Sequence, residues 1–192
     1  MTSICTVLDL RTNLYIVDII NHKSIPMKKI ILLLVATMVI SCSTTGPQIT
    51  TGDEKSKSIL AAFDSYLAND YSWADTLYSP EISIYINSVE PVDIKTNIAG
   101  LASHHELFSD ISINSPVGEG GAYVQTTNYN NDAGVWSHAW FVWKGTGKAT
   151  GKTIEIPVHV AYKWDNKGNI SETYLFSDQA PQLAEINASQ MQ

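Results

Sequence analysis

The side chains that could carry chemistry are few and scattered. Of the five histidines, His138 and His159 lie on successive apolar segments separated by a glycine-rich turn, and they read as cross-strand neighbours. Such a pair could supply a general base or pack as flat rings in an interface. It falls short of the three or four ligands that a metal centre needs. His104 and His105 stand beside Glu106 on a helix, where adjacent residues point about 100° apart, so they edge a pocket or the surface. No metal and no cofactor is expected. Asp178 closes an apolar strand just before Gln179-Ala180-Pro181 and is the candidate acid–base group, although a strand-end Asp is also a common loop cap. Ser103 has no nucleophile elbow around it, so Ser103-His104 makes no triad. The carboxylates Asp53-Glu54 sit where a helix begins and suit its dipole.

The two cysteines do not read as catalytic. Cys42 follows Val39-Ile40-Ser41, at the end of a segment that starts at Met27 with Lys28-Lys29 and runs apolar from Ile30 to Ile40. That run is too short for a free span of about 20 residues and has the layout of a secretory signal. With cysteine after the cut, it resembles the lipobox of bacterial lipoproteins, in which that cysteine is diacylated. The expected organisation is an upstream extension at 1–26 that a start at Met27 would remove, a lipoprotein signal at 27–41, a tether at 42–53 rich in Ser, Thr, Gly and Pro, and a folded domain at 54–192. Two acyl chains at Cys42 would hold the protein on a membrane. Ser43-Thr44-Thr45 carries no acidic residue, which points to the periplasm-facing outer membrane. The chain has 192 residues, 44% apolar, and a net charge of −7. That excludes a phosphate-binding surface, so no nucleic-acid partner is expected.

The elements that must position these residues follow from periodicity. Asp53 is a plausible N-cap, and Ile59, Leu60, Phe63, Tyr66 and Leu67 follow helical spacing. Trp73, Leu77 and Tyr78 read as a second short helix stopped by Pro80. Residues 81–87 alternate as a strand with Ile82, Ile84 and Ile86 on one face. Residues 93–108 read as a third helix. Strands at 111–116 and 121–129 follow, and then three long antiparallel strands occupy 134–178. A loop and a short helix close the chain. Helices gathered before a sheet give an α+β class.

Within 134–178 an even-length first turn centred on Lys148-Ala149 pairs Trp143 with Ile154, Phe141 with Ile156, Ala139 with Val158, Ser137 with Val160 and Val135 with Tyr162. This apolar set is the core face. The opposite face then holds Trp136, His138 and Trp140, with His138 facing His159. It is expected to be a homodimer interface, with a ligand wall or cover by the tail as alternatives. At the second turn a four-residue loop puts Thr173, Leu175 and Ser177 inward. A three-residue loop with Gly168 left-handed puts Tyr174, Phe176 and Asp178 there instead.

The segments Gly145-Thr146, Thr150-Gly151-Lys152, Pro157-Val158-His159, Lys163 to Ile170 and Phe176-Ser177-Asp178 resemble the SnoaL-like branch of the nuclear transport factor 2-like superfamily. That resemblance implies a cone-shaped barrel whose strongly bent antiparallel sheet wraps three N-terminal helices around an apolar pocket. It also favours the four-residue second turn. The acid–base positions of ketosteroid isomerases in this superfamily fall near Ala62, Ile86 and Val160, none of which can move a proton. The cyclases place an acid–base Asp late in the domain, where Asp178 stands. The expected pocket wall is Phe63, Leu67, Ile86, Leu101, Phe108, Phe141, Val160 and Tyr162, suited to a small hydrophobic ligand. The competing expectations are a cyclase, isomerase or hydratase using Asp178 or His159, and a protein-interaction domain.

Overall fold

The structure is a computed structural model that describes residues 46–191. The expected extension, signal segment and Cys42 lie outside the described residues. Seven strands form one sheet in the order β1-β4-β5-β6-β7-β2, with β3 also paired to β5. In chain order the elements are β1 (Gln48–Thr50), α1 (Glu54–Leu67), α2 (Ala74–Leu77), β2 (Tyr78–Ile86), α3 (Ile94–Leu107), β3 (Phe108–Asn114), β4 (Tyr123–Asn128), β5 (Val135–Gly147), β6 (Thr153–Trp164), β7 (Ile170–Ser177) and α4 (Ala180–Ser189). The α+β class expected from the sequence holds. The sheet is mixed rather than wholly antiparallel, because β2 runs parallel to β7, and its strand order stays open rather than closing into a barrel.

Each departure from the expected elements has a local cause. Gln48–Thr50, placed in the tether by composition, pairs with Asn128, Thr127 and Thr126 of β4, so the folded part begins before Glu54. Tyr78 opens β2 instead of ending a helix. Pro80 lies where the β2–β7 pairing is interrupted between Tyr78 and Ser83 on an edge strand; there its missing N–H breaks no ladder bond.

β5 is the spine of the sheet. Its first half pairs with β4 and its second half with β3, while β6 runs along its whole length. From Ser137 to Gly147 every second residue is buried, as expected of a strand with one face on a core. The division of β5 and β6 into two faces is as the sequence predicts, but the pairing is displaced by two residues. Trp143 faces Ile156, Phe141 faces Val158 and Ala139 faces Val160, while His159 faces Trp140 rather than His138. The turn is centred on Ala149-Thr150 because Gly151 supplies the left-handed residue at φ 70°. The tail fixes it there. The Glu185 carboxylate of α4 accepts from the Ala149 N–H at 2.5 Å and from the Thr150 hydroxyl at 2.6 Å. A Cβ at Gly147 would collide with that carboxylate. At the second turn both expected features coexist. Gly168 is left-handed at φ 89°, and the register shift at Lys163/Trp164 returns Thr173, Leu175 and Ser177 to the side of Val158, Val160 and Tyr162.

A line of buried hydroxyls joins the start of α1 to three strands. Trp164 Nε1 donates to Ser137 Oγ at 2.8 Å. Ser137 Oγ meets Thr126 Oγ1 at 2.7 Å, Thr126 Oγ1 meets Ser56 Oγ at 3.0 Å, and Ser56 Oγ donates to Asp53 Oδ2 at 2.8 Å. The indole can only donate and the carboxylate can only accept, so each hydroxyl donates toward Asp53. The other oxygen of Asp53 caps α1 through the N–H groups of Lys55 and Ser56. These bonds hold the Asp53 carboxyl below its ordinary range against the opposing effect of burial, which is the largest single influence.

Candidate functional site

The concave side of the sheet and the helices enclose a cavity of about 220 Å³. α1 contributes Ile59, Ala62, Phe63 and Tyr66, and α3 contributes Leu101 and His104. The sheet contributes Ile84 and Ile86 from β2, Phe141 and Trp143 from β5, Val158, Val160 and Tyr162 from β6, and Thr173 and Leu175 from β7. Thr96 and Gly100, both exposed, mark the mouth, with Gln179 and Gln182 near α4. Among the described residues no Asp, Glu, Lys or Arg lines this space. An ion entering it would find no countercharge, and burying an unpaired charge is costly.

One wall is polar. Trp143 Nε1 donates to Tyr66 Oη at 2.7 Å, and Tyr66 Oη lies 3.0 Å from His104 Nδ1. The hydroxyl accepts the indole proton, so its own proton is free to go to His104 Nδ1; that satisfies all three groups and leaves the His104 proton on Nε2. His105 Nε2 donates to the Tyr66 carbonyl at 2.8 Å, which ties α3 to the end of α1. Burial, and then the neighbouring His105, lower His104 from 6.5 to about 4, so its imidazole is neutral at pH 7 and a weak base. Burial drives the Tyr66 phenol well above its ordinary range, opposed in part by the Trp143 hydrogen bond. The arrangement can hold and orient a ligand, but it holds no group poised to move a proton near neutrality.

Of the expected wall, Phe63, Ile86, Leu101, Phe141, Val160 and Tyr162 line the cavity. Leu67 does not. It is the last residue of α1, one step of about 100° beyond the inward Tyr66, and is 37% exposed. Phe108 is buried but sits behind Trp143, whose ring stands edge-on to it at 5.1 Å. Ala62, Ile86 and Val160, where isomerase chemistry would need ionisable groups, line the cavity as apolar side chains.

Both catalytic candidates lie elsewhere. Asp178 is exposed at the end of β7, and its carboxylate accepts the Ala180 N–H at 3.0 Å as a loop cap. His159 alternates to the other face of the sheet, since its neighbours Val158 and Val160 take the inward positions. An enzyme built on Asp178 or His159 therefore lacks both groups at the cavity.

Sequence reasoning places His104 and His105 at the edge of a pocket or the surface, and it misses Tyr66, Tyr78 and Trp143 as pocket groups. Apolar periodicity assigns Tyr66 and Trp143 to the core, and Tyr78 reads as part of a helix. Spacing distinguishes His104: it is three residues after Leu101 and so shares its inward helical face.

On the convex side, His138 and Trp140 join His159 and Phe176 in a band of flat rings, and Trp136 packs beside Tyr174. Trp140 stacks on His159 at 5.1 Å and His138 on His159 at 5.3 Å. His138 Nδ1 and His159 Nε2 are 3.1 Å apart, a diagonal rather than a directly opposed pair. Phe176 is 53% and Tyr123 40% exposed at the ends of the band. Burial lowers both imidazoles from their ordinary value, and His159 lowers His138 further.

No family model matches the chain, and no curated protein matches it in sequence. Solved structures do match in shape. AclR of Streptomyces galilaeus, a proposed hydroxylase, aligns with TM-score 0.53 at 13% identity over 70% of this chain and 85% of its own. IdmH of Streptomyces antibioticus, a proposed polyketide cyclase, aligns with TM-score 0.50 at 16% identity over 70% of this chain and 99% of its own. TsrD of Streptomyces laurentii aligns with TM-score 0.50 at 14% identity over 72% and 99%. At such identities the likeness carries the fold alone.

Proposed function

We propose that this chain, whose fold is that of the nuclear transport factor 2-like superfamily, holds a small uncharged hydrophobic molecule in its cavity and carries out no acid–base chemistry on it. The observation that supports this reading is a space of about 220 Å³ lined by aliphatic and aromatic side chains, with no charged residue among the described residues and one neutral histidine. Apolar walls with a few placed polar groups suit such a ligand. Cys42 carries the lipid that holds the domain in the bacterial envelope, on the periplasmic face of the outer membrane. The support is the Val39-Ile40-Ser41-Cys42 sequence after a short apolar run.

The test is to fill the cavity. Val160→Phe places a ring into the space, and its effect is read by titrating 2-isopropylnaphthalene calorimetrically. Loss of binding with retained circular dichroism is expected. Unchanged affinity would place the ligand elsewhere and refute the reading.

A second reading concerns the convex face. Five ring-bearing residues in lateral contact, Tyr123, His138, Trp140, His159 and Phe176, and Trp136 against Tyr174, leave part of their surface open. A second copy of this chain laid face to face would cover them.

A further inference from the structure

Two tyrosines at the cavity are unlike the rest of its wall. Tyr78 and Tyr162 are 8% and 7% exposed. Both line the cavity, one from the first residue of β2 and one near the end of β6. Neither hydroxyl has a hydrogen-bond partner among the described residues, and neither is sealed against protein atoms as the Trp73 indole N–H is. Each therefore keeps accessible surface, and both residues line the cavity. A buried hydroxyl left unpaired costs free energy, and most buried polar groups in folded proteins have a partner. Two such groups in one apolar cavity mark a place where a ligand atom belongs.

The chemistry of that atom follows from the surroundings. Burial drives both phenols well above their ordinary range, and Tyr78 adds to the effect on Tyr162. Both remain protonated and present O–H donors. Thr173, paired with Tyr162 across β6 and β7 and 4% exposed, adds a further hydroxyl from the same wall. A partner that accepts from both must do so without full negative charge, since no cation among the described residues lines the cavity. A neutral carbonyl oxygen has two lone pairs and meets both conditions.

We propose that Tyr78 and Tyr162 form a paired donor site for one acceptor oxygen, and that the bound molecule is an uncharged hydrophobic carbonyl compound. The proposal rests on the reading of the cavity as a ligand site and adds the ligand's polar feature and the residues that read it. Tyr66 does not compete for this role, because its hydroxyl is engaged by Trp143 and His104.

The experiment uses two probes of matched shape, 2-acetylnaphthalene and 2-isopropylnaphthalene, which differ in the carbonyl oxygen. Each is titrated calorimetrically into the wild type, Tyr78→Phe and Tyr162→Phe. Each substitution should weaken the ketone by about five- to tenfold, the worth of one net hydrogen bond, and leave the hydrocarbon within about twofold. If both probes bind and the substitutions affect them equally or not at all, the donor pair is overturned while the cavity reading stands. If neither probe binds the wild type, both fall. A measurement that needs no variant is the infrared carbonyl stretch of 2-acetylnaphthalene bound to the wild type. It should lie below its value in hexane, and an unshifted stretch overturns the donor pair.

Discussion

Protonating His104 should loosen the fold in a defined pH window. The imidazole is lowered from 6.5 to about 4, chiefly by burial between α1, α3 and β5. A folded-state value below the unfolded one means that the unfolded chain takes up the proton first as pH falls. The stability contributed by the neutral imidazole is thus complete above about pH 6.5, declines through pH 5 and levels off below about pH 4. Between pH 7 and pH 5 the loss is about 2 kcal/mol, taking 1.36 kcal/mol per unit over about 1.5 units. His104→Asn keeps an acceptor near the position of Nδ1 for the Tyr66 hydroxyl but cannot be protonated. Urea unfolding followed by tryptophan fluorescence at both pH values isolates the effect. His138 and His159, also lowered, contribute to both proteins and cancel in the difference. With a slope of about 2 kcal/mol per molar urea, the wild-type midpoint should fall by about 1 M more than that of the variant. A difference between the two proteins that stays constant from pH 7 to pH 5 would refute the placement of His104 as a buried neutral group.

Ser137→Ala breaks the hydroxyl line at a fully buried point, leaving the Trp164 indole without its acceptor and the Thr126 hydroxyl without its donor. A loss of about 1–3 kcal/mol in urea unfolding is expected; a change within about 0.5 kcal/mol would show that the line carries no stability. Trp140→Asp puts a carboxylate into the ring band on the convex face and should convert a dimer to a monomer in light scattering, whereas a monomeric wild type would end the face-to-face reading. Cys42→Ala should abolish palmitate labelling and release the protein from the outer envelope fraction; unchanged labelling and fractionation would remove the anchor.

Much of the architecture was legible because it depends on local periodicity. The alternation of β5 and β6 separated Phe141 and Val160 from Trp136, His138 and Trp140 without knowledge of any partner strand, and a pairing displaced by an even number of residues leaves those faces unchanged. The exact register was not legible, because the first turn is settled by Glu185, a residue of the tail that donates no signal to the turn's own sequence. β2 was read too short for a related reason. Its first residue, Tyr78, pairs in parallel with Ile170, far along the chain, while its immediate neighbours Leu77 and Pro80 favour a helix end. The site suffered most. Asp178 and His159 stand out by residue type, yet one caps a loop and the other alternates outward. Tyr66, His104 and Trp143 come from three elements, and what brings them together is the packing of α1 and α3 on β5, which no single stretch of sequence encodes.

The hydroxyl line also has a mechanical meaning. Tension applied ahead of Gly46 reaches β1 first, whose three exposed residues pair with β4, with Thr50 also donating to Asp53. Once β1 peels away, the load passes to Asp53, which is fastened through Ser56, Thr126 and Ser137 to Trp164. These bonds run across β4, β5 and β6 and tie the start of α1 to all three strands. A domain held from its N-terminal side can thus give up a short strand as slack while the cavity behind the line keeps its shape.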